Sequence, residues 1–343
     1  MERSTSSTAA SRPRSWAFRL RRASRVALFL LPLSLLLSAH LSTACAQENE
    51  LPEGGIKLGD EQVRRWRVGM SVRAVGGPCG GLLGTVPVPT DWPEQRVRIV
   101  EEDISPQVRR VGYRVLDNGV KQMLVQIPTL AAGETATALI TFEVTRNAIL
   151  APDDTSVFSV PKRPSRDVAK FLTPSPYIET RNGKIRAAAK EALDGRDDAT
   201  DWEKVEAIYD WVREHVEYIN GPLKGALAAL EDGNGDCEEL TSLFIALCRV
   251  NRIPARTVWV PNHCYAEFYL EDADGNGHWF PCQVAGTRDF GSMPDVRPIL
   301  QKGDNFKVPE KKEPQRYVAE LLKGKAGGGK PDVTFVRDSL PVE

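Results

Sequence analysis

Cys237 stands in the run Gly233-Asn234-Gly235-Asp236-Cys237-Glu238-Glu239-Leu240, where a glycine-rich loop turns into an apolar helix. His263 follows 26 residues later in the run His263-Cys264-Tyr265-Ala266-Glu267. Gln283 comes 20 residues after that, in Trp279-Phe280-Pro281-Cys282-Gln283. A thiol at a helix start, an imidazole on a strand and an amide on the next strand supply a nucleophile, a base and a group that orients the base. Those are the parts of thiol acyl chemistry. A helix beginning near Asp236 aims its free N–H groups and the positive end of its dipole at Cys237, which favours thiolate over thiol. The Cys237 N–H also serves as half of an expected oxyanion hole. Glu238 and Glu239 would raise the thiol pKa if they faced it, but acidic residues also suit a helix start.

The remaining candidates read as structural. Cys248 lies mid-helix among Ala246, Leu247 and Val250 and is expected to be a small buried apolar residue. Cys79, in the loop Gly76-Gly77-Pro78-Cys79-Gly80-Gly81, is expected to be a bystander. His215 sits beside Glu214 on a helix, and His278 follows a Gly-rich turn; both are expected at the surface. Asp272-Ala273-Asp274-Gly275-Asn276-Gly277 approaches a calcium-loop pattern, but Gln283 stands where the pattern wants Glu and the flanks read as strands, so a hairpin turn is expected. No Cys/His spacing matches a zinc site, and no metal or cofactor is expected.

These groups need elements to hold them. Val111, Tyr113 and Val115 alternate with polar or small neighbours, as do Met123, Val125 and Ile127, then Ile140, Phe142 and Val144, with Asn118-Gly119 and Pro128 as punctuation. Period-two alternation of this kind predicts antiparallel strands with one buried face, packaged as a small β-sandwich over 47–160. A proline-rich connection follows at 161–176. Helical spacing then takes over: 185–193, a helix capped at Thr200 or Asp201 that lines up Trp202, Val205, Ile208, Val212 and Val216, and 238–250. Strands are expected at 256–260, 263–270 and 278–284, a short helix at 316–322, and a last strand at 333–336. Helices followed by strands make the second half, 177–343, an α+β unit with helices against an antiparallel sheet.

Residues 211–284 resemble the transglutaminase-like superfamily, which shares the Cys-His-Asp/Asn logic of papain-like thiol proteases. The resemblance rests on Trp211 and Tyr218, Gly235-x-Cys237, Leu243-Phe244-x-Ala246-Leu247-x-Arg249, Ile253-Pro254-Ala255-Arg256, His263-x-Tyr265-x-Glu267 and Trp279-x-Pro281. The upstream β region also resembles the N-terminal domain often attached to bacterial members. The resemblance implies an α+β fold with a motif core at 202–284 and a thioester on Cys237. His263 would transfer protons and Gln283 would orient it. The family usually has Trp where Tyr265 stands and Asp where Gln283 stands. Gln is neutral, but its carbonyl oxygen can accept the imidazole N–H, as Asn does in papain-like enzymes. Hydrolysis of a protein or peptide amide is expected ahead of Gln–Lys crosslinking, since water is always present and no amine site is identifiable. The competing expectation is a catalytically inactive module that keeps the fold for binding or scaffolding.

The first 46 residues read as a leader. Arg19, Arg21, Arg22 and Arg25 precede an apolar run at 26–41, and Ala44-Cys45-Ala46 is a small-x-small cleavage site. That layout predicts a signal peptide and a periplasmic or extracellular protein, with lipid attachment at Cys45 as the weaker alternative. No second long apolar stretch exists, so no transmembrane segment is expected after the leader. The leader holds seven Arg and one Glu, leaving 38 basic and 45 acidic residues and a net charge of −7. Nothing in that balance suggests a nucleic-acid partner.

Five cysteines remain after the leader, an odd number. If His263 and Gln283 lie directly opposite on antiparallel strands, Cys264 lies opposite Cys282, and Leu270 opposite Asn276. Directly opposed residues have Cα atoms roughly 4.5–5.5 Å apart, within disulfide range. The expectation is contact behind the His263–Gln283 pair, either as a candidate Cys264–Cys282 disulfide or as two reduced cysteines serving as small core residues.

Overall fold

The computed structural model describes residues 55–342. The leader and Cys45 lie outside the described residues. The first half contributes six strands: β1 (Lys57–Val75), β2 (Cys79–Val88), β3 (Gln95–Ile104), β4 (Arg110–Val115), β5 (Lys121–Leu130) and β6 (Thr135–Leu150). The sequence alternation appears directly as burial. Along β6, Ala136, Ala138, Ile140, Phe142 and Val144 are buried while most of their neighbours are half exposed. Two antiparallel sheets result, ordered β15-β1-β6-β3 and β14-β2-β5-β4, where β14 is Leu321–Ala326 and β15 is Lys330–Leu340, with Trp66, Met70, Met123, Ile127, Ile140 and Phe142 in one core between them.

Two of those strands come from the far end of the chain. β14 (Leu321–Ala326) pairs with β2, and β15 (Lys330–Leu340) pairs with β1 from Arg65↔Leu340 to Val75↔Lys330. The expected second unit, 177–343, therefore gives its last twenty or so residues to the sandwich of the first. The expected short helix at 316–322 is instead irregular chain entering β14. The described residues belong to one compact unit.

Between these strands lie α1 (Arg166–Ala169), α2 (Gly183–Glu191), α3 (Asp201–His215), β7 (Glu217–Tyr218), α4 (Ala226–Asp232), β8 (Asn234–Gly235), α5 (Cys237–Val250), β9 (Ala255–Val260), β10 (His263–Glu271), β11 (Gly277–Gln283), β12 (Asp289–Phe290) and β13 (Gln301–Lys302). The last five strands make a five-stranded antiparallel sheet, β12-β11-β10-β9-β13. Thr200 caps α3 in a full capping box with Glu203. α5 is buried on nearly every side from Glu239 to Arg249, so it is the central helix and not a surface one. Helices and sheet share a core that includes Leu243, Phe244, Leu247, Phe268 and Phe280. Trp202 stands at its heart, with edge-to-face contacts to Phe268, Phe280 and Phe290 at ring separations of 5.0–5.4 Å.

The opposite face of this sheet meets the sandwich through charge. Lys302 Nζ donates to Glu94 Oε1 at 2.6 Å and to Glu267 Oε1 at 2.7 Å. Arg256 Nε donates to Glu267 Oε2 at 2.7 Å, and Arg146 donates to the Tyr265 hydroxyl at 3.1 Å. Glu94, Arg146, Glu267 and Lys302 are all buried. Burial alone would push the Glu267 carboxyl up, but the charges of Arg256 and Lys302 overcome it and hold the group down at about 2.

Candidate active site

The loop before α5 has a local logic. Gly233, at φ 67°, ends α4 in the left-handed region. Asp236 is the N-cap of α5: its carboxylate accepts the Glu238 N–H at 2.8 Å, and Glu239 Oε2 accepts the Asp236 N–H at 3.2 Å. A Cβ at Gly235 would fall 2.4 Å from Glu239 Cβ, so the capping box needs glycine there. Glu239 also accepts the Lys224 N–H at 2.9 Å, which ties the preceding loop to the helix end. Cys237 is the first residue of α5. Its N–H belongs to the helix's unpaired first turn, where a developing oxyanion can use it.

His263 begins β10 and Gln283 ends β11. His263 Nε2 lies 2.8 Å from Gln283 Oε1. Gln283 can only accept there, so Nε2 carries the proton and Nδ1 is left for the thiol. The structure brings together Cys237, His263 and Gln283. The Cys237 thiol is held down at about 4, first by a hydrogen bond from the Cys264 thiol, then by a hydrogen bond and charge from His263, against the opposing effect of burial. For His263, burial pushes the imidazole down, yet hydrogen bonds to Cys237 and Gln283 and the thiolate's charge leave it raised. Each group favours the charged form of the other, which biases the pair toward thiolate and imidazolium. Gln283 is itself braced. Its backbone carbonyl accepts from the Tyr209 hydroxyl at 2.7 Å and from Arg213 at 3.2 Å, both on α3.

The expected register is wrong by one residue on each strand. Ala266, not Cys264, lies opposite Cys282, and Leu270 lies opposite His278. The reason is the hairpin loop. The Asp272 N–H bonds the Asn276 carbonyl at 2.9 Å, and Asp272 Oδ1 accepts the N–H groups of Asp274 and Asn276. The tight turn is therefore 272–276. Gln283 becomes the diagonal neighbour of His263, a span of about 7–8 Å that long side chains can cross. Cys264 and Cys282 are likewise diagonal and on one face, beyond the roughly 7 Å limit for a bridge. Both are free, as are Cys79, Cys237 and Cys248. His278 is also not at the surface. It is 4% exposed, with Nε2 2.9 Å from Asp272 and its ring against Phe158.

Cys237 and His263 open into a cleft of roughly 500 Å³. Its walls include Tyr218 and Asp236 from the helical half, Trp66 and Arg337 from the sandwich, and Arg316 and Tyr317 from the chain leading into β14. Arg316 forms an ion pair with Glu238 and lies over the Trp259 ring at 5.2 Å. Asp236 is pushed up to about 7, by burial first and then by Glu239, which keeps the lower pKa of this carboxyl pair. Sequence spacing carries no signal for Trp66, Arg316 or Arg337, because strand pairing across the chain is what delivers them. A second, more enclosed cavity of about 150 Å³ lies by Trp92, Glu94 and Lys302, and no thiol lines it.

Residues 186–284 match the family model for the transglutaminase-like superfamily core. A solved structure from Cytophaga hutchinsonii, assigned as a candidate cysteine protease, is 19% identical over 83% of this chain and 93% of its own, with a TM-score of 0.54. That likeness is one of fold. A candidate protease structure from Parabacteroides distasonis is 13% identical over 63% of this chain and 47% of its own, and its TM-score of 0.25 is too low to bear on the argument. No curated protein matches the chain.

Proposed function

Because residues 186–284 are a transglutaminase-like domain, we propose that the chain is an exported cysteine-dependent enzyme that cleaves amide bonds in a protein or peptide. The observation that carries the reading is the line Cys237–His263–Gln283, which begins at a helix N-terminus inside an open cleft. The Cys237 thiolate attacks the amide carbonyl, and the carbon–oxygen π pair moves onto oxygen. The Cys237 N–H faces that oxyanion. The His263 imidazolium then gives its Nδ1 proton to the leaving amine as the carbon–nitrogen bond breaks, which leaves a thioester. A water loses its proton to His263 and attacks the thioester. Carboxylic acid departs and the thiolate returns. Gln283 keeps Nε2–H occupied throughout, so Nδ1 stays available on the reacting side.

Hydrolysis is favoured over transfer to a lysine amine because water reaches an open cleft and no carboxylate group marks out an amine site apart from the helix cap. The test is incubation with a peptide library containing Gln and Lys, read by mass spectrometry. Cleaved peptides support the reading. Joined Gln–Lys peptides turn it to crosslinking. No product, together with Cys237 labelling by a vinyl sulfone that is indifferent to His263→Ala, makes the chain a binding module and ends the enzymatic reading.

A further inference from the structure

Cys264 is a buried thiol that the acyl chemistry does not consume. It is 1% exposed, its Sγ lies 3.4 Å from the Cys237 carbonyl oxygen, and its thiol is within hydrogen-bond reach of the Cys237 sulfur. It follows His263 directly in the chain, at the start of the strand that packs on α5. Burial keeps it a thiol, with a pKa well above the usual range. Cys237 is its opposite. It is partly exposed on the cleft wall, where hydrogen bonds and the charge of His263 favour its thiolate. A dissolved oxidant meets Cys237 first, and the sulfur behind it is a protonated thiol. An accessible thiolate with a second cysteine directly beside it is the arrangement of a reactive cysteine and its resolving partner, and the second must give up its proton as it attacks.

We propose that Cys237 and Cys264 form an oxidisable pair, a modification site at which a peroxide converts the Cys237 thiolate to a sulfenic acid and the Cys264 thiol condenses with it to a disulfide. In the first step the Cys237 sulfur attacks one peroxide oxygen. The O–O bond breaks, the S–O bond forms, and the departing hydroxide takes a proton from the His263 imidazolium and leaves as water. Sulfur loses two electrons and the peroxide gains them. In the second step the Cys264 sulfur attacks the Cys237 sulfur. The S–O bond breaks, the S–S bond forms, and the Cys264 proton leaves with the hydroxyl as a second water. A dithiol reverses the bond by exchange. The disulfide removes the nucleophile from acyl chemistry and spares it from irreversible sulfinic acid. Neither other nearby cysteine serves. Cys248 is 11 residues along α5, roughly 16 Å away, and Cys282 is buried one diagonal step beyond Cys264.

The inference rests on the reactive thiol of the reading above and not on turnover. The reduced full chain is treated with hydrogen peroxide, blocked with N-ethylmaleimide, digested without reduction and mapped by mass spectrometry. The expected product joins the Cys237 and Cys264 peptides, lighter by two hydrogens than their sum. Iodoacetamide labelling of Cys237 falls in step and returns with dithiothreitol. In Cys264→Ser and Cys264→Ala, Cys237 ends as sulfinic or sulfonic acid and dithiothreitol restores no labelling, while Cys282→Ala still forms the bond. The parent map needs no variant to fold. If it shows Cys237 unlinked, or joined to Cys282, the pair does not exist. A linked pair in a chain without turnover leaves this inference standing and removes only the enzymatic one.

Discussion

The two faces of the five-stranded sheet carry similar chemistry in opposite states. On the sandwich side, Glu94, Glu267, Lys302 and Arg256 close into a paired network, and every one of its carboxylates has a cation within hydrogen-bond reach. At the strand ends by α5, the thiolate and imidazolium are also paired, but the pair borders a cleft and its thiol remains open to a third partner. Enclosed charges satisfy one another and hold two layers together. Charges at an edge stay reactive because part of their environment is missing. The comparison teaches that a perturbed pKa alone does not mark function here, since Glu267 is perturbed as clearly as Cys237.

The sharpest way to break the comparison is Cys237→Ala. Turnover should fall on the order of ten-thousandfold or more in a chain that still folds cooperatively; normal turnover of library peptides would place the nucleophile elsewhere. Glu267→Gln should do the reverse. Leaving Lys302 and Arg256 buried beside a neutral amide should cost about 3–5 kcal/mol, read by urea unfolding, and a stability loss within error would show that the network is not the join between layers.

A pH series separates the two faces further. Cys237 has a depressed folded pKa, so its contribution to stability is complete above the unfolded thiol's range and lost as pH falls toward about 4. His263 is raised, so its contribution is complete below the unfolded imidazole's range and lost as pH rises through the folded value. Alkylation of Cys237 by iodoacetamide should therefore keep its rate down to about pH 4. In His263→Ala the midpoint should move up toward that of an ordinary thiol. An alkylation midpoint near that of free cysteine in the parent would remove the ion pair.

The smallest effect should come from Gln283→Asp. A carboxylate can accept the same Nε2–H and also stabilise the imidazolium, so activity should stay within roughly tenfold of the parent or rise. A large loss of kcat with unchanged unfolding would mean that the Tyr209- and Arg213-braced position is built around a neutral amide.

Much of this site is legible in local sequence. Gly235, Asp236 and Glu239 are a capping box that any reader of helix starts can find, and it places Cys237 at N1 without reference to the rest of the chain. Alternation in 135–144 foretells which face of β6 is buried. His278 misleads because its neighbours are polar and Gly-rich, yet the turn folds Asp272 back over it. The disulfide expectation fails for a related reason: spacing gives the parity of two strands, but the turn decides their offset, and Asp272 sets it through bonds that composition does not reveal.

What the sequence by itself determined is therefore what neighbours within a few residues decide: the cap under Cys237, the alternation of the sandwich strands, and the order nucleophile, base, orienter. Tertiary structure alone decided the rest. It placed Gln283 on the diagonal from His263, set the Cys264 thiol against Cys237, and brought Trp66 and Arg337 to the cleft by pairing β1 with β15 across nearly the whole chain. Caps and alternation arise from hydrogen bonds and burial that act along the backbone. Register and cleft walls arise from contacts whose partners are distant in the chain, and their energies exist only once both partners are in place.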